Sequence, residues 1–123
     1  SERRQLQMAI ELAPDASPRH TLETTAAISR ALADKKAFPE IASAALYMGD
    51  GGPRFILALN PPTPAAHRAY AVLTLAPDVT HAAAIESLRT GLGQRFPELR
   101  LDPKRFSMGS ADAGTAVFRF ENA

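Results

Sequence analysis

The 123-residue chain contains no cysteine. That absence removes disulfides, thiolate zinc sites and thiol nucleophiles together. It leaves the compartment open, because a domain of this length can rest on its core without staples. Long apolar runs are missing as well: no stretch approaches the roughly 20 apolar residues needed to span a bilayer. The polar start Ser1-Glu2-Arg3-Arg4-Gln5 is followed by no apolar segment of the signal-peptide kind. The chain is therefore expected either to be cytosolic or to be a piece of a longer protein whose targeting segment lies elsewhere. There is also little excess charge of one sign. The formal net charge is +1, and Arg3, Arg4, Lys35, Lys36, Arg54, Arg68, Lys104 and Arg105 are scattered rather than gathered in a run. No pull toward nucleic acid or an anionic membrane is expected from such a balance. What remains is an ordinary globular composition, 46% hydrophobic and 22% charged, sufficient for one domain.

Leu6, Met8, Ile10 and Leu12 alternate with Gln5, Gln7, Ala9 and Glu11, the period of a half-buried strand. Ser17-Pro18 reads as a helix start, with a capping hydroxyl and a proline at the first helical position. That helix is expected to run to about Lys35 or Lys36, presenting a face of Leu22, Ala26, Ser29 and Ala33 flanked by Ile28 and Leu32. Glu40 to Met48 forms a second strand candidate, followed by the turn Gly49-Asp50-Gly51-Gly52-Pro53. Arg54 to Leu59 reads as extended, and Asn60-Pro61-Pro62-Thr63-Pro64 as polyproline-like. The near-continuous apolar run Ala69 to Ala76 predicts a central, covered strand. Thr80 can cap a second helix whose stripe is Ile85, Leu88, Leu92 and Phe96, weakened by Gly91 and Gly93 and stopped by Pro97. Leu99 to Phe106 follows as a strand in which Pro103 implies an edge or a bulge. After a link of small residues, Ser107 to Gly114, a last short strand spans Thr115 to Glu121. The order predicts an α+β domain of the ferredoxin-like, split βαβ type (βαββαβ), with two helices on one face of an antiparallel sheet, an extra hairpin arm and an extra C-terminal strand.

Catalytic patterns do not assemble. His20, His67 and His81 share no ligand spacing and read as surface residues near caps and a loop. Gly109-Ser110-Ala111-Asp112 lacks the spacing of a nucleophile elbow. Glu11, Glu86 and Glu98 fall on polar positions, where solvation is the default. The glycine-rich turn is followed by Pro53-Arg54-Phe55-Ile56 rather than by a helix start, which removes a phosphate cradle. An RNA-binding version of the fold would need an aromatic signature that Tyr70 alone does not supply.

One stretch carries a family resemblance. Tyr47-Met48-Gly49-Asp50-Gly51-Gly52-Pro53-Arg54-Phe55 resembles the Y-V-G-x-G-x-P-R-F string of the resistance-nodulation-division (RND) efflux permeases of the acriflavine-resistance type. Leu57 to Pro61 then resembles their L-x-L-N-P segment, and Leu12 to Ser17 the L-P-E-G-A-S that opens a porter subdomain. Where the family has two prolines in a G-P-P-V-G link, this chain has Gly109 to Gly114 without them. The resemblance covers nearly the whole chain and fits a periplasmic porter subdomain of the transporter's C-terminal half. It divides the chain into residues 1–108, the subdomain, and 109–123, a linker with the first strand of its neighbour.

It implies a fragment of a proton-driven multidrug transporter on the periplasmic face of the bacterial inner membrane, lining the substrate path and moving as a rigid unit. No catalysis and no cofactor are implied. The implied partners are the neighbouring porter subdomains and transmembrane domain, a homotrimer with a periplasmic adaptor and an outer-membrane channel, and small apolar or amphiphilic substrates. The site it implies is the substrate-path loop Tyr47 to Phe55, in which Gly51 and Gly52 supply conformational freedom and Tyr47, Met48 and Phe55 supply adaptable apolar contact. The plainer alternative for those three is strand residues beside a tight turn. In the isolated chain the last strand is expected to return to this domain's own sheet edge or to pair with another copy. Two other classes stay open: a freestanding ferredoxin-like small-molecule-binding or regulatory domain, and a small enzyme of the same fold, which would need a convergent polar site.

Overall fold

The computed structural model describes residues 4–49, 66–106 and 117–121. In these the chain forms β1 (Gln5–Glu11), α1 (Pro18–Leu32), β2 (Ile41–Met48), β3 (Arg68–Leu75), α2 (His81–Arg95), β4 (Arg100–Arg105) and β5 (Phe118–Glu121). The strands make one five-stranded sheet in the order β4-β1-β3-β2-β5. Every pairing is antiparallel. Both helices pack on the same side, so this is an α+β, split βαβ domain of the ferredoxin-like kind with one strand added outside β2. The expected extended segment 54–59, the polyproline-like crossing 60–64 that completes the hairpin arm, and the link 107–114 lie outside the described residues.

Alternation sets the two faces of the sheet. Leu6, Met8 and Ile10 of β1 stand opposite Leu73, Ala71 and Ala69 of β3. Leu46 and Ala44 of β2 continue those rows. Together with Ile28 and Leu32 from α1 and Leu88 and Leu92 from α2, these side chains form one buried cluster. Burying such apolar surface is the main stabilising term. β3 is indeed the middle strand, but only one of its faces is covered by helices. Its continuous apolar run arises because Tyr70 and Val72 occupy the other face. Pro103 sits on the edge strand β4, opposite Met8, where no further ladder partner is needed. β5 took the first of the two placements expected for it, returning to this sheet's own edge with Phe118 opposite Leu46 and Phe120 opposite Ala44.

Three details of the helices differ from the sequence expectation. α1 ends at Leu32, not at Lys35 or Lys36. The Asp34 carboxylate accepts the Lys36 amide at 3.0 Å and its carbonyl accepts the Phe38 amide at 2.9 Å. A short acidic side chain competing for backbone donors in this way favours a turn over another helical turn. The buried face of α1 is Thr21, Thr24, Thr25, Ile28, Ala31 and Leu32, while Leu22 is 42% exposed. The threonines lie in phase with Ile28 and Leu32, and Thr25 hides its polarity by donating its hydroxyl to the Thr21 carbonyl at 2.7 Å. Finally, His81 is buried rather than on the surface. It begins the inward stripe His81, Ala84, Leu88, Leu92, at spacings of three, four and four, so the face of α2 starts one turn earlier than its first aliphatic residue. Ile85 and Phe96 pack at the rim of the cluster. Both caps form as read: Ser17 accepts the His20 amide and Thr80 the Ala83 amide, each at 3.0 Å.

Candidate functional site

The sheet face opposite the helices carries the distinctive side chains. Period-two alternation places Ser43, Ala45 and Tyr47 of β2 on that face. The register sets them beside Thr74, Val72 and Tyr70 of β3 in turn. Tyr47 and Tyr70 are direct cross-strand partners, and their rings stack with centroids 4.7 Å apart and planes 8° from parallel. Cross-strand aromatic pairs of this kind add to sheet stability beyond their burial. Tyr70 is buried and Tyr47 half-buried, so Tyr47 is the outer ring of the pair.

Beside the pair lies a trough of about 250 Å³ lined by Gln5, Ser43, Ala45, Tyr47, Val72, Thr74, Arg119 and Glu121 among others. Its shape follows from side-chain size. Ser43 and Ala45 are short, while Val72 and Thr74 rise on the β3 side and Arg119 and Glu121 on the β5 side, in register with them. Tyr47 closes one end. The exposed lining of the trough is thus mainly polar, from Gln5, Ser43, Thr74, Arg119 and Glu121, with Ala45, Val72 and the Tyr47 ring as its apolar part. Small-molecule pockets run from roughly 300 to 1,000 Å³ and enclose most of the ligand, so this trough is too small and too open to enclose one by itself.

At the end of the same face, Glu11 Oε2 lies 3.6 Å from His67 Nε2 and 3.7 Å from Arg68 Nη2. All three groups are partly solvent-exposed, and contacts of this length at a surface organise charge without much energy. Glu11 is therefore paired rather than merely solvated, and His67 is its partner. Among the described residues no group of three or more His, Cys, Asp or Glu is gathered as a metal site would require. No described helix is long and apolar enough to cross a membrane.

The strand separates the residues expected to act together in the loop. Tyr47 faces the trough, whereas Met48 points to the helix side, where the Thr25 hydroxyl approaches its sulfur at 3.9 Å. Gly49 ends the strand with φ at +99° and donates its amide to the Arg68 carbonyl at 2.7 Å. That left-handed conformation suits glycine, so the first glycine of the turn has a geometric reason. Asp50, Gly51, Gly52, Pro53, Arg54 and Phe55 lie outside the described residues. Tyr70, Ala45 and Arg119 were not among the residues expected at a site. A partial signal existed: the chain's only two tyrosines fall in two strands joined by one connection. Their register depends on that connection's length and was not readable.

A scan against protein-family models returns no match, and neither does a search of curated proteins.

Proposed function

We propose that this chain is a porter-type element of an RND multidrug efflux transporter, whose helix-free sheet face forms one wall of the path taken by small apolar or amphiphilic molecules. The observation that carries the reading is the partial site on that face: a stacked tyrosine pair beside a short-floored trough too small to enclose a ligand alone. A wall of this kind needs a second surface to complete it, which neighbouring porter subdomains of the same chain would supply. Tyr47, the first residue of the family-like string, is the outer ring of the pair on this face. Rigid-body motion is supported by the single interlocked core, since close-packed interiors transmit displacement rather than deform. On this reading the chain works on the periplasmic side of the inner membrane within a homotrimer, together with an adaptor and an outer-membrane channel.

The test uses the full-length protein encoded around this sequence, expressed in an efflux-deficient bacterium loaded with a fluorescent lipophilic dye. Its gene should encode apolar segments of about 20 residues on the flanks, and the wild type should lower dye retention. Tyr47→Ala, which removes the outer ring, should raise retention several-fold at equal protein level. Unchanged retention would remove the face from the path. A gene without such apolar segments would end the transport reading and leave a freestanding small-molecule-binding domain in its place.

A further inference from the structure

The two edges of the sheet are built differently. β4, at one edge, is a poor template for another strand. It carries the exposed charges Arg100, Asp102, Lys104 and Arg105, and Pro103 supplies no amide. Charges and proline on an edge are the usual means of preventing edge-to-edge pairing. β5, at the other edge, reads Phe-Arg-Phe-Glu with no proline. Among the described residues no strand pairs with its outer side. The two large apolar residues exposed among those described, Leu22 and Val117, also belong to this side: Val117 leads into β5, and α1 packs over β2 and β5.

We propose that the outer edge of β5 is a self-association surface, which takes β5 of a second copy of this chain in antiparallel register across a twofold axis. The charge pattern specifies the occupant. Arg119 and Glu121 lie on the helix-free face and Phe118 and Phe120 on the helix side, fixed by their partners in β2. With Phe120 on the axis, Arg119 of each copy stands opposite Glu121 of the other, so one pairing makes two opposite-charge cross-strand contacts. A twofold interface is self-complementary in this sense by necessity. On the other face the two Phe120 rings meet beside α1, extending the core cluster that Phe118 and Phe120 already border. The surface does not rest on the transport reading: it concerns the chain by itself, and its twofold pairing is distinct from the threefold homotrimer that reading implies.

Sedimentation of the 123-residue chain over a wide concentration range tests the proposal. A reversible monomer–dimer equilibrium that weakens with added salt is expected. Arg119→Glu places two carboxylates on the edge and Glu121→Arg two guanidinium groups. Each alone should raise the dimer dissociation constant by about tenfold or more, as expected when two attractive cross-strand charge pairs become repulsive. Mixing the two variants should restore dimers, now of unlike chains, and the double exchange Arg119→Glu with Glu121→Arg should dimerise alone. Restoration by mixing separates lost complementarity from lost folding. A wild-type chain that stays monomeric throughout, its edge closed by its own segments or reserved for another partner, overturns the proposal. So do single variants that dimerise like the wild type, or variants that fail to pair on mixing.

Discussion

Replacing Phe38 by alanine should lower the unfolding free energy by about 3–5 kcal/mol, the usual cost of truncating a fully buried aromatic ring. Phe38 is 1% exposed and is among the largest side chains of the core. It follows α1 in a turn, with its amide bonded to the Asp34 carbonyl and its own carbonyl accepting the Ile41 amide. Its ring reaches α2. A Cβ on Gly91 would stand 2.7 and 2.8 Å from two atoms of the ring, and the Arg95 guanidinium lies 5.7 Å from its centroid. Gly91 is therefore the notch in α2 that admits Phe38.

This makes Gly91→Ala sensitive to the residue at position 38. In the wild type the gain in helix propensity, about 1 kcal/mol, is outweighed by overpacking of about 1–3 kcal/mol, and the variant should be less stable. In the Phe38→Ala background the clash is gone, so the same change should stabilise by about 1 kcal/mol. Gly93, whose added Cβ would meet nothing within 4 Å, should gain about that amount in either background. Urea unfolding of the single and double variants measures all of these. If Gly91→Ala has the same sign with and without the ring, Gly91 is not a notch for it.

The second large effect is expected at the tyrosine pair. Tyr70 is 8% exposed, and Tyr70→Ala should cost about 3 kcal/mol, near the lower end for buried aromatics. Tyr47 is half-buried, and Tyr47→Ala should cost about 1–2 kcal/mol. Their coupling in a double-mutant cycle should be about 0.5–1.5 kcal/mol, the value of an aromatic contact beyond its area. Spectroscopy gives a separate readout, because the chain has two tyrosines and no tryptophan. Near-UV circular dichroism then reports chiefly on this pair. Each single variant should lose well over half of the tyrosine signal, since the stacked rings produce it jointly. Additive losses of half each would contradict the stack.

Much of the fold was legible because local signals agreed with one another. The alternation of Leu6, Met8 and Ile10, the caps at Ser17 and Thr80, and the stop at Pro97 each act over a few residues, and they sufficed to order the elements as a split βαβ unit. The errors share a cause. A helical spacing counted from Leu22 assigned that residue inward, and its place beside a cap assigned His81 outward, whereas the in-phase anchors Ile28 and Leu32 on α1, and Leu88 and Leu92 on α2, decide which neighbours are carried inside. The site was less legible. Tyr47 was picked out from the family-like string, but its partner Tyr70 and the opposing wall at Arg119 depend on strand register and on which edge β5 joins. Both are long-range choices with no local marker. Strand alternation, by contrast, already separated Tyr47 from Met48, and a stricter use of period two would have placed them on opposite faces.

The most direct measurement is an amide-resolved NMR titration of the isotope-labelled chain with a planar amphiphile at millimolar concentration. Chemical-shift changes should centre on Ala45, Tyr47, Tyr70, Val72 and Thr74 and leave α1 and α2 unmoved. Changes centred on the helices, or none on the sheet at saturation, would contradict the assignment of this face as a wall for small amphiphilic molecules.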